Sequence, residues 1–379
     1  IGTNWIKASE GQGDSTSWER AGGDYYSDTN SSFTASFKDG TEDLEADITS
    51  LVEQWVNSAG NTYGSKTNYG VIVKFPDAQE ATTRSYYTKK FFARSSEFLL
   101  KRPIIEARWD SSIRDDRGNF FKSSSLADNV ENINKIYLYN NIRGRLRNIP
   151  VVGTSPNEIL VSVYSGSINN SELAGTKITL PIGGGVIANN DVNVTGGYIG
   201  TTGIYSASFA YTGSATTIFP VWHNNSLGKE VIAEFHTGSG IKVKTFQSLN
   251  YNPHPDYVTT ITNLKDSYSL KDGVTRFRLF VREKGWAPNS YTKVTADIES
   301  STIQDGYYKV YRTTDEFEVM GYGTGSTNHT RFSYDISGSY FDFPINVLEA
   351  GYMYSFKLLY KMPDGNYREQ PEIFKFRVD

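Results

Sequence analysis

Hydrophobic and polar residues alternate along most of this chain, the period-two pattern of strands with one face buried. The clearest runs are Thr275-Arg-Phe-Arg-Leu-Phe-Val281, Tyr307-Tyr-Lys-Val-Tyr311 and Tyr354-Ser-Phe-Lys-Leu-Leu-Tyr360. Lys135-Ile-Tyr-Leu-Tyr139, Leu160-Val-Ser-Val-Tyr164 and Gly203-Ile-Tyr-Ser-Ala-Ser-Phe209 follow the same rule further upstream. One stretch breaks it. Ile48, Leu51, Val52 and Trp55 fall at i, i+3, i+4 and i+7, which predicts a short amphipathic helix over about 48–57. Asp47 or Thr49 can cap its first turn, and Ser50 with Glu53 has the capping-box spacing. Trp55 is the expected anchor of this helix, which then hands over to Gly70-Val-Ile-Val-Lys-Phe75, read as a fully buried strand.

The spacing of the runs divides the chain into blocks. Residues 1–110 hold Trp5, Trp18, Tyr25, Tyr26, Phe33 and Phe37 among Gly, Ser, Asp and Asn clusters, and close on Ile104-Ile-Glu-Ala-Arg-Trp109. Residues 111–133 are a polar link without hydrophobic period, expected to lie on the surface with Phe120 and Phe121 pinning it to a neighbour. Residues 134–250 and 251–379 each read as a further sandwich, joined by the stiff Asn252-Pro-His-Pro255. The last hairpin turns through Pro363-Asp-Gly-Asn366, where Pro fixes φ and Gly supplies φ > 0. The expected fold is therefore all-β: three consecutive antiparallel β-sandwiches with one short helix in the first.

Composition agrees and narrows the chemistry. Tyr (26), Phe (21) and Gly (34) are abundant, as strand and turn architectures favour. The formal charge of -4 comes from nearly balanced Lys+Arg and Asp+Glu, with no long basic run, so nucleic acid is not an expected partner. The absence of cysteine excludes disulfides and thiolate metal sites. No apolar run reaches the roughly 20 residues a membrane-spanning helix needs, and no membrane partner is expected. The start at Ile1 without a signal-peptide pattern reads as a piece whose true N-terminus lies upstream.

Reactive constellations are scarce. His223, His236, His254 and His329 stand in unrelated contexts, as surface or turn histidines do, and no close pair points to a metal. The acidic clusters are Glu42-Asp-Leu-Glu45-Ala-Asp47 and Asp115-Asp116; the first sits at a helix start, where carboxylates complement the dipole. Asp14, Asp24 and Asp28 lie in turns rich in oxygen ligands, but Asx-turns account for them. Ile182-Gly-Gly-Gly-Val186 lacks the Lys-Ser or Lys-Thr and the helix of a phosphate loop, so it reads as a hairpin tip. No nucleophile elbow is present. Catalytic residues, metals and cofactors are therefore all expected to be none. Exposed aromatics could stack on sugars, and Tyr25, Tyr26, the Tyr86-Tyr87 pair and Trp286 are the candidates.

Three resemblances add to this. The order Trp18, Gly22-Gly-Asp24, Asp47-Ile-Thr49, Trp55, Asn68-Tyr-Gly70, Phe92-Ala-Arg-Ser-Ser96 and Arg102-Pro-Ile-Ile-Glu-Ala-Arg108 resembles the C-terminal two thirds of a DNRLRE-type domain. That family comprises β-sandwiches of secreted, cell-surface and phage proteins, some carbohydrate-binding. Leu348-Glu-Ala-Gly-Tyr-Met-Tyr354 is similar to the corner of fibronectin type III and immunoglobulin-like domains, with Tyr354 in the closing role. Across the chain, Tyr87-Thr-Lys-Lys-Phe-Phe-Ala-Arg-Ser-Ser-Glu97, Asp116-Arg-Gly-Asn-Phe120 and Glu369-Gln-Pro-Glu-Ile-Phe-Lys-Phe-Arg377 resemble virion proteins of tailed phages, including marine and cyanobacterial ones. What the resemblance implies is a non-enzymatic structural role in an extracellular particle, at its tail, neck or capsid. The implied partners are other virion proteins and further copies of the chain. A carbohydrate-binding adhesin that takes a host-surface glycan is the rival, and a glycan-degrading enzyme with two opposed carboxylates is a third possibility.

Overall fold

Alternation becomes architecture where one face of each run finds a core. The computed structural model describes residues 6–10, 15–20, 22–56, 62–84, 88–155, 159–167, 169, 172–180, 194–224, 233–245, 252, 254–285, 290, 294 and 300–379. The all-β class holds among them. The chain forms two compact units, Ile1–Ala93 and Arg94–Asp379, so both later sandwiches and the link between them share one unit.

In the first unit, β1 (Lys7–Glu10) and β2 (Ser15–Ser17) make an antiparallel hairpin. The expected helix forms as α1 (Thr49–Val56), and a single turn, α2 (Asp77–Glu80), follows Pro76. The reading of 71–73 as a fully buried strand is overturned: Val71, Ile72 and Val73 are 54%, 49% and 61% exposed and join no ladder. The β-branched run favours extended backbone, but no described segment lies beside it to complete a sheet. In the second unit, 104–109 likewise lies outside any strand, with Ile104, Ile105 and Trp109 exposed.

The strands of the 134–250 block are β3 (Ile133–Tyr139), β4 (Asn141–Ile142), β5 (Arg145–Leu146), β6 (Ile159–Gly166), β7 (Leu173–Lys177), β8 (Val194–Tyr198), β9 (Ile204–Ala210), β10 (Thr217–Asn224), β11 (Ala233–Thr237) and β12 (Ile241–Lys242). Their main sheet runs β11-β10-β6-β8-β9-β3, with β12 on β10 and β7 on β6. Strands at opposite ends of this order fill one core: Ile136 and Leu138 of β3, Val161 and Val163 of β6, Phe209 of β9 and Trp222 of β10. The sheet therefore folds back over its own apolar face. All eight residues of β10 are buried, so both faces of that strand are covered. This is why Thr217-Ile-Phe-Pro-Val-Trp-His-Asn224 shows no alternation.

The 251–379 block is the most regular. Its strands are β13 (Tyr257–Ile261), β14 (Ser267–Tyr268), β15 (Val274–Glu283), β16 (Gly306–Arg312), β17 (Glu318–Met320), β18 (Ser333–Asp335), β19 (Gly338–Pro344), β20 (Met353–Lys361), β21 (Tyr367–Glu369) and β22 (Phe374–Val378). One sheet is β13-β15-β19-β18 and the other β14-β22-β20-β16-β17, with β21 on β20. In β15, Phe277, Leu279 and Val281 point inward at 0–2% exposure while Arg276 and Arg278 face out, as the period-two run predicts. Phe277 stacks on Phe341 at 5.3 Å and meets Phe356 at 4.8 Å, which ties the two sheets together. The strand order, with β14 pairing parallel to the last strand, is the immunoglobulin-like arrangement. Tyr354 closes its corner: fully buried, its hydroxyl accepts from Glu349 N and donates to Glu349 O, both at 3.0 Å. Gly365 in the final hairpin takes φ of +85°, as its turn requires.

Candidate functional site

The densest chemistry lies in the link, and it is internal. Expected on the surface, the link runs at 113–123 between the two sandwiches, with Asp115 and Phe120 both at 0% exposure, while its later part lies on the surface as expected, Leu126 and Val130 being 83% and 76% exposed. Residues 113–115 add a short parallel strand to β18: Asp115 N donates to Tyr334 O and Tyr334 N to Ile113 O, each at 3.0 Å. Residues 120–123 do the same to the other sandwich. Lys122 N donates to Lys244 O and Lys244 N to Phe120 O, both at 2.8 Å, while Ser123 N donates to Tyr211 O at 2.7 Å. The Phe120 ring enters that core against Phe209 at 5.6 Å and Tyr211 at 6.1 Å. Asn134 clamps the backbone of Phe121 with both ends of its amide, at 2.9 and 2.8 Å. Phe120 and Phe121 thus pin the link as expected, but inside the molecule.

Between these two footholds lies the 3-10 turn Asp116–Gly118. Asp115 precedes it and receives the Arg117 guanidinium in a fork, with Nε at 2.9 Å and Nη2 at 2.6 Å from Oδ2, as well as the Arg117 backbone N–H. Asp116 reaches both neighbours at once. Its Oδ2 accepts from Lys135 N at 2.6 Å and its Oδ1 from the Tyr334 hydroxyl at 2.8 Å. Burial pushes both carboxyls above their ordinary range, against the pull of Arg117 on Asp115 and of Lys135 N–H and Tyr334 on Asp116. Burial likewise raises Tyr137, to about 12, and Tyr334. Gly118 packs so tightly on the next turn that a Cβ there would stand 2.9 Å from Asp335 O and Ile336 Cα.

The outward face of β15 continues the joint. Arg276 forks onto Asp342 at 2.8 and 2.9 Å, and Arg278 onto Asp335 at 2.9 and 2.8 Å. Both guanidinium groups lie over the Tyr340 ring, at 4.1 and 5.1 Å. Each acid in this cluster is matched by a fixed donor. The geometry holds two sandwiches together.

The described aromatic candidates, Tyr25 and Tyr26, sit in the first unit. Tyr25 is half-buried with Arg20 at 5.1 Å and Lys74 at 5.0 Å from its ring, and Tyr26, 48% exposed, carries Lys66 at 4.7 Å. One face of each ring is therefore occupied by a cation. Trp286 and the Tyr86-Tyr87 pair lie outside the described residues, as do Trp5, Asp14 and the Gly183 loop. Asp24 accepts from Arg20 N at 3.0 Å, and Asp28 accepts from Ser31 and pairs with Lys66, so these acids serve turns and an ion pair. Asp47 closes the start of α1 by accepting from Thr49 N at 3.0 Å, and Ser50 donates to Asn30 O at 3.0 Å. Trp55 is only half-buried, and the docked side of α1 is Leu51 and Gln54, at 6% and 1% exposure. An open hollow of about 340 Å³ lies alongside, lined by Phe33, Asp47, Thr49, Ser50, Glu53 and Tyr63.

One histidine departs from expectation. His223 on β10 is 4% exposed, with Nε2 2.8 Å from Ser162 Oγ, so its reading as a surface residue is corrected. Among the described residues its Nδ1 has no hydrogen-bond partner, and burial together with Lys177 depresses its pKa against the pull of Glu234. No group of three or more metal-ligating side chains converges among the described residues.

No family model matches the chain, and no curated protein does either. Among solved structures, a marsupial T cell receptor is similar at a TM-score of 0.20 and 9% identity, over 58% of this chain. The chain spans 64% of the length of that receptor chain, less than two thirds. A likeness at that score carries no argument, and the immunoglobulin-like assignment of the last domain rests on its own strand order and on Tyr354.

Proposed function

We propose that this chain is a non-enzymatic structural component of a tailed-phage particle, an adaptor at the tail, neck or capsid that works by assembling with other virion proteins and with copies of itself. The observation that supports a structural role is the doubly anchored link. Within a few residues it forms a parallel bridge to each sandwich and buries Asp115 and Phe120. Such a joint fixes the relation of two domains at the cost of burying charge, which suits a part that must hold shape. The phage assignment draws on the sequence resemblance alone. Cryo-electron microscopy of the native assembly tests the reading: density for the two joined sandwiches at repeated positions on a particle supports it. Saturable glycan binding abolished by Tyr26→Ala in a folded protein supports the adhesin instead, and release of sugars from a polysaccharide overturns the non-enzymatic reading.

A further inference from the structure

The hairpin of β4 and β5 carries three arginines that the fold leaves unpaired. Arg143, Arg145 and Arg147 are exposed, and none of their guanidinium groups forms an ion pair or a hydrogen bond among the described residues. The hairpin is held in shape. Arg143 and Gly144 take φ of +52° and +73°, the two positive values that a two-residue I′ turn needs. At its base Arg147 N donates to Asn140 O at 3.0 Å, Asn140 Nδ2 to Arg147 O at 2.7 Å, and Asn140 N to Gly203 O at 2.8 Å. Ile142 pairs with Arg145, so Arg145 and Arg147 share one face of the ribbon about 7 Å apart, with Arg143 at the tip. The chain around them supplies no acid: residues 132–157 contain no Asp or Glu, and residues 199–203 carry no charge.

We propose that this hairpin takes the segment Asp43-Leu-Glu-Ala-Asp47 of a second copy, so that copies join head to tail. The proposal rests on the self-assembly part of the proposed function and names the two surfaces that carry it. Charge and period select the occupant. Asp43, Glu45 and Asp47 are exposed and alternate along the chain as Arg143, Arg145 and Arg147 do. An extended segment with acids at every second position presents carboxylates at the spacing of Arg145 and Arg147. Each carboxylate can receive a guanidinium in a two-bond fork. Asp47 uses Oδ1 on Thr49, and it borders the open hollow beside α1, which gives a long side chain room. Ile142 and Leu146, 47% and 36% exposed, lie among the arginines, and Leu44 and Ala46 among the acids. Such apolar side chains gain from a polypeptide and little from a phosphate backbone, which favours a protein segment over nucleic acid. A contact between unlike surfaces does not close in pairs, so copies add into a ring or an open row. Exposed ion pairs are individually weak and screened by salt. Free chains therefore associate weakly, and the contact strengthens where many copies are held together.

Sedimentation of the purified chain reads the contact. Self-association is expected to rise with concentration and to weaken at least tenfold between about 0.05 and 0.5 M salt, as screening shortens the reach of exposed charges. Two charge reversals test the pairing itself: Arg145→Glu with Arg147→Glu on the hairpin, and Asp43→Lys with Glu45→Lys on the segment, all at exposed positions. Each variant alone is expected to be monomeric. An equimolar mixture of the two is expected to associate at least tenfold more strongly than either, because every reversed surface then meets its complement. The milder Arg145→Gln with Arg147→Gln is expected to weaken association as high salt does. A chain that stays monomeric at all concentrations overturns the proposal, as does self-association indifferent to the hairpin substitutions or a mixture no stronger than its parts. Capture of duplex DNA that is lost on hairpin reversal, without self-association, overturns the occupant and assigns the hairpin to nucleic acid. All of these outcomes concern the purified chain, so failure here is separate from absence of the protein from a particle.

Discussion

Asp115 shows how an ionic residue can be a core residue. Its carboxylate is fully buried and takes a forked bond from Arg117, so removing it strands a guanidinium whose partner position is sealed. Asp115→Ala is expected to destabilise the second unit by about 3 kcal/mol, the usual cost of breaking a buried pair from one side. Urea unfolding followed by tryptophan fluorescence measures it. Acid titration separates this group from an exposed one. Asp315 is held down to about 2 by the side-chain bond from Arg312, so its folded pKa lies below the unfolded one. Its contribution to stability is present above the ordinary carboxylate range and is lost as pH falls toward about 2. Asp115 and Asp116 are raised by burial and act in the opposite sense, their contribution being full at acid pH and lost as pH rises through their folded pKa values. Asp315→Asn is therefore expected to flatten the decline in stability between about pH 4 and pH 2, with unfolding midpoints across that range as the measurement.

At the scale of elements, α1 is held by the residues it buries rather than by its largest side chain. Leu51 is 6% exposed and Trp55 half-buried, so Leu51→Ala is expected to cost about 2–3 kcal/mol and Trp55→Ala less, read from thermal unfolding of the first unit. The period of 3.6 made the helix legible to within a residue or two, and the period of two did the same for β15, β16 and β20. In β15 one face is buried and the other is not, so pattern and environment coincide; β16 and β20 keep that alternation only in part, burying Tyr307 with Tyr308 and Ser355 with its neighbours. The same logic fails where that condition fails. In β10 both faces are covered, alternation vanishes, and His223 could not be recognised as interior. In 71–73 a β-branched run marked extended preference, but the run alone carries no information about whether a neighbour exists. The first half of the link, 113–123, was misplaced because Asp and Arg count as solvated in any composition argument, whereas Asp115 and Arg117 satisfy one another inside. The Tyr354 corner was legible because a local spacing of Leu, Gly and Tyr encodes a local contact.

For the whole molecule, the joint decides how the two sandwiches behave as one unit. Gly118 permits the turn at its centre to lie against the backbone of Asp335 and Ile336, atoms that cannot swing aside as a side chain end could. Gly118→Ala is expected to cost about 1–3 kcal/mol through overpacking and to loosen one sandwich from the other. Hydrogen exchange at the amides of Asp115 and Lys122, one on each side of the turn, reports that loosening; unchanged protection there would show that the two footholds hold independently of the turn.

The parallel pairing of β14 with β22 has a mechanical consequence. Arg377 N donates to Asp266 O and Asp379 N to Tyr268 O, both at 2.9 Å, so the last strand is stitched alongside an early one running the same way. When a sandwich built like this is stretched from its two ends, these bonds are loaded in shear and must rupture together, where an antiparallel pair would unzip one bond at a time. The final domain is thus built as a clamp, able to bear tension along the chain.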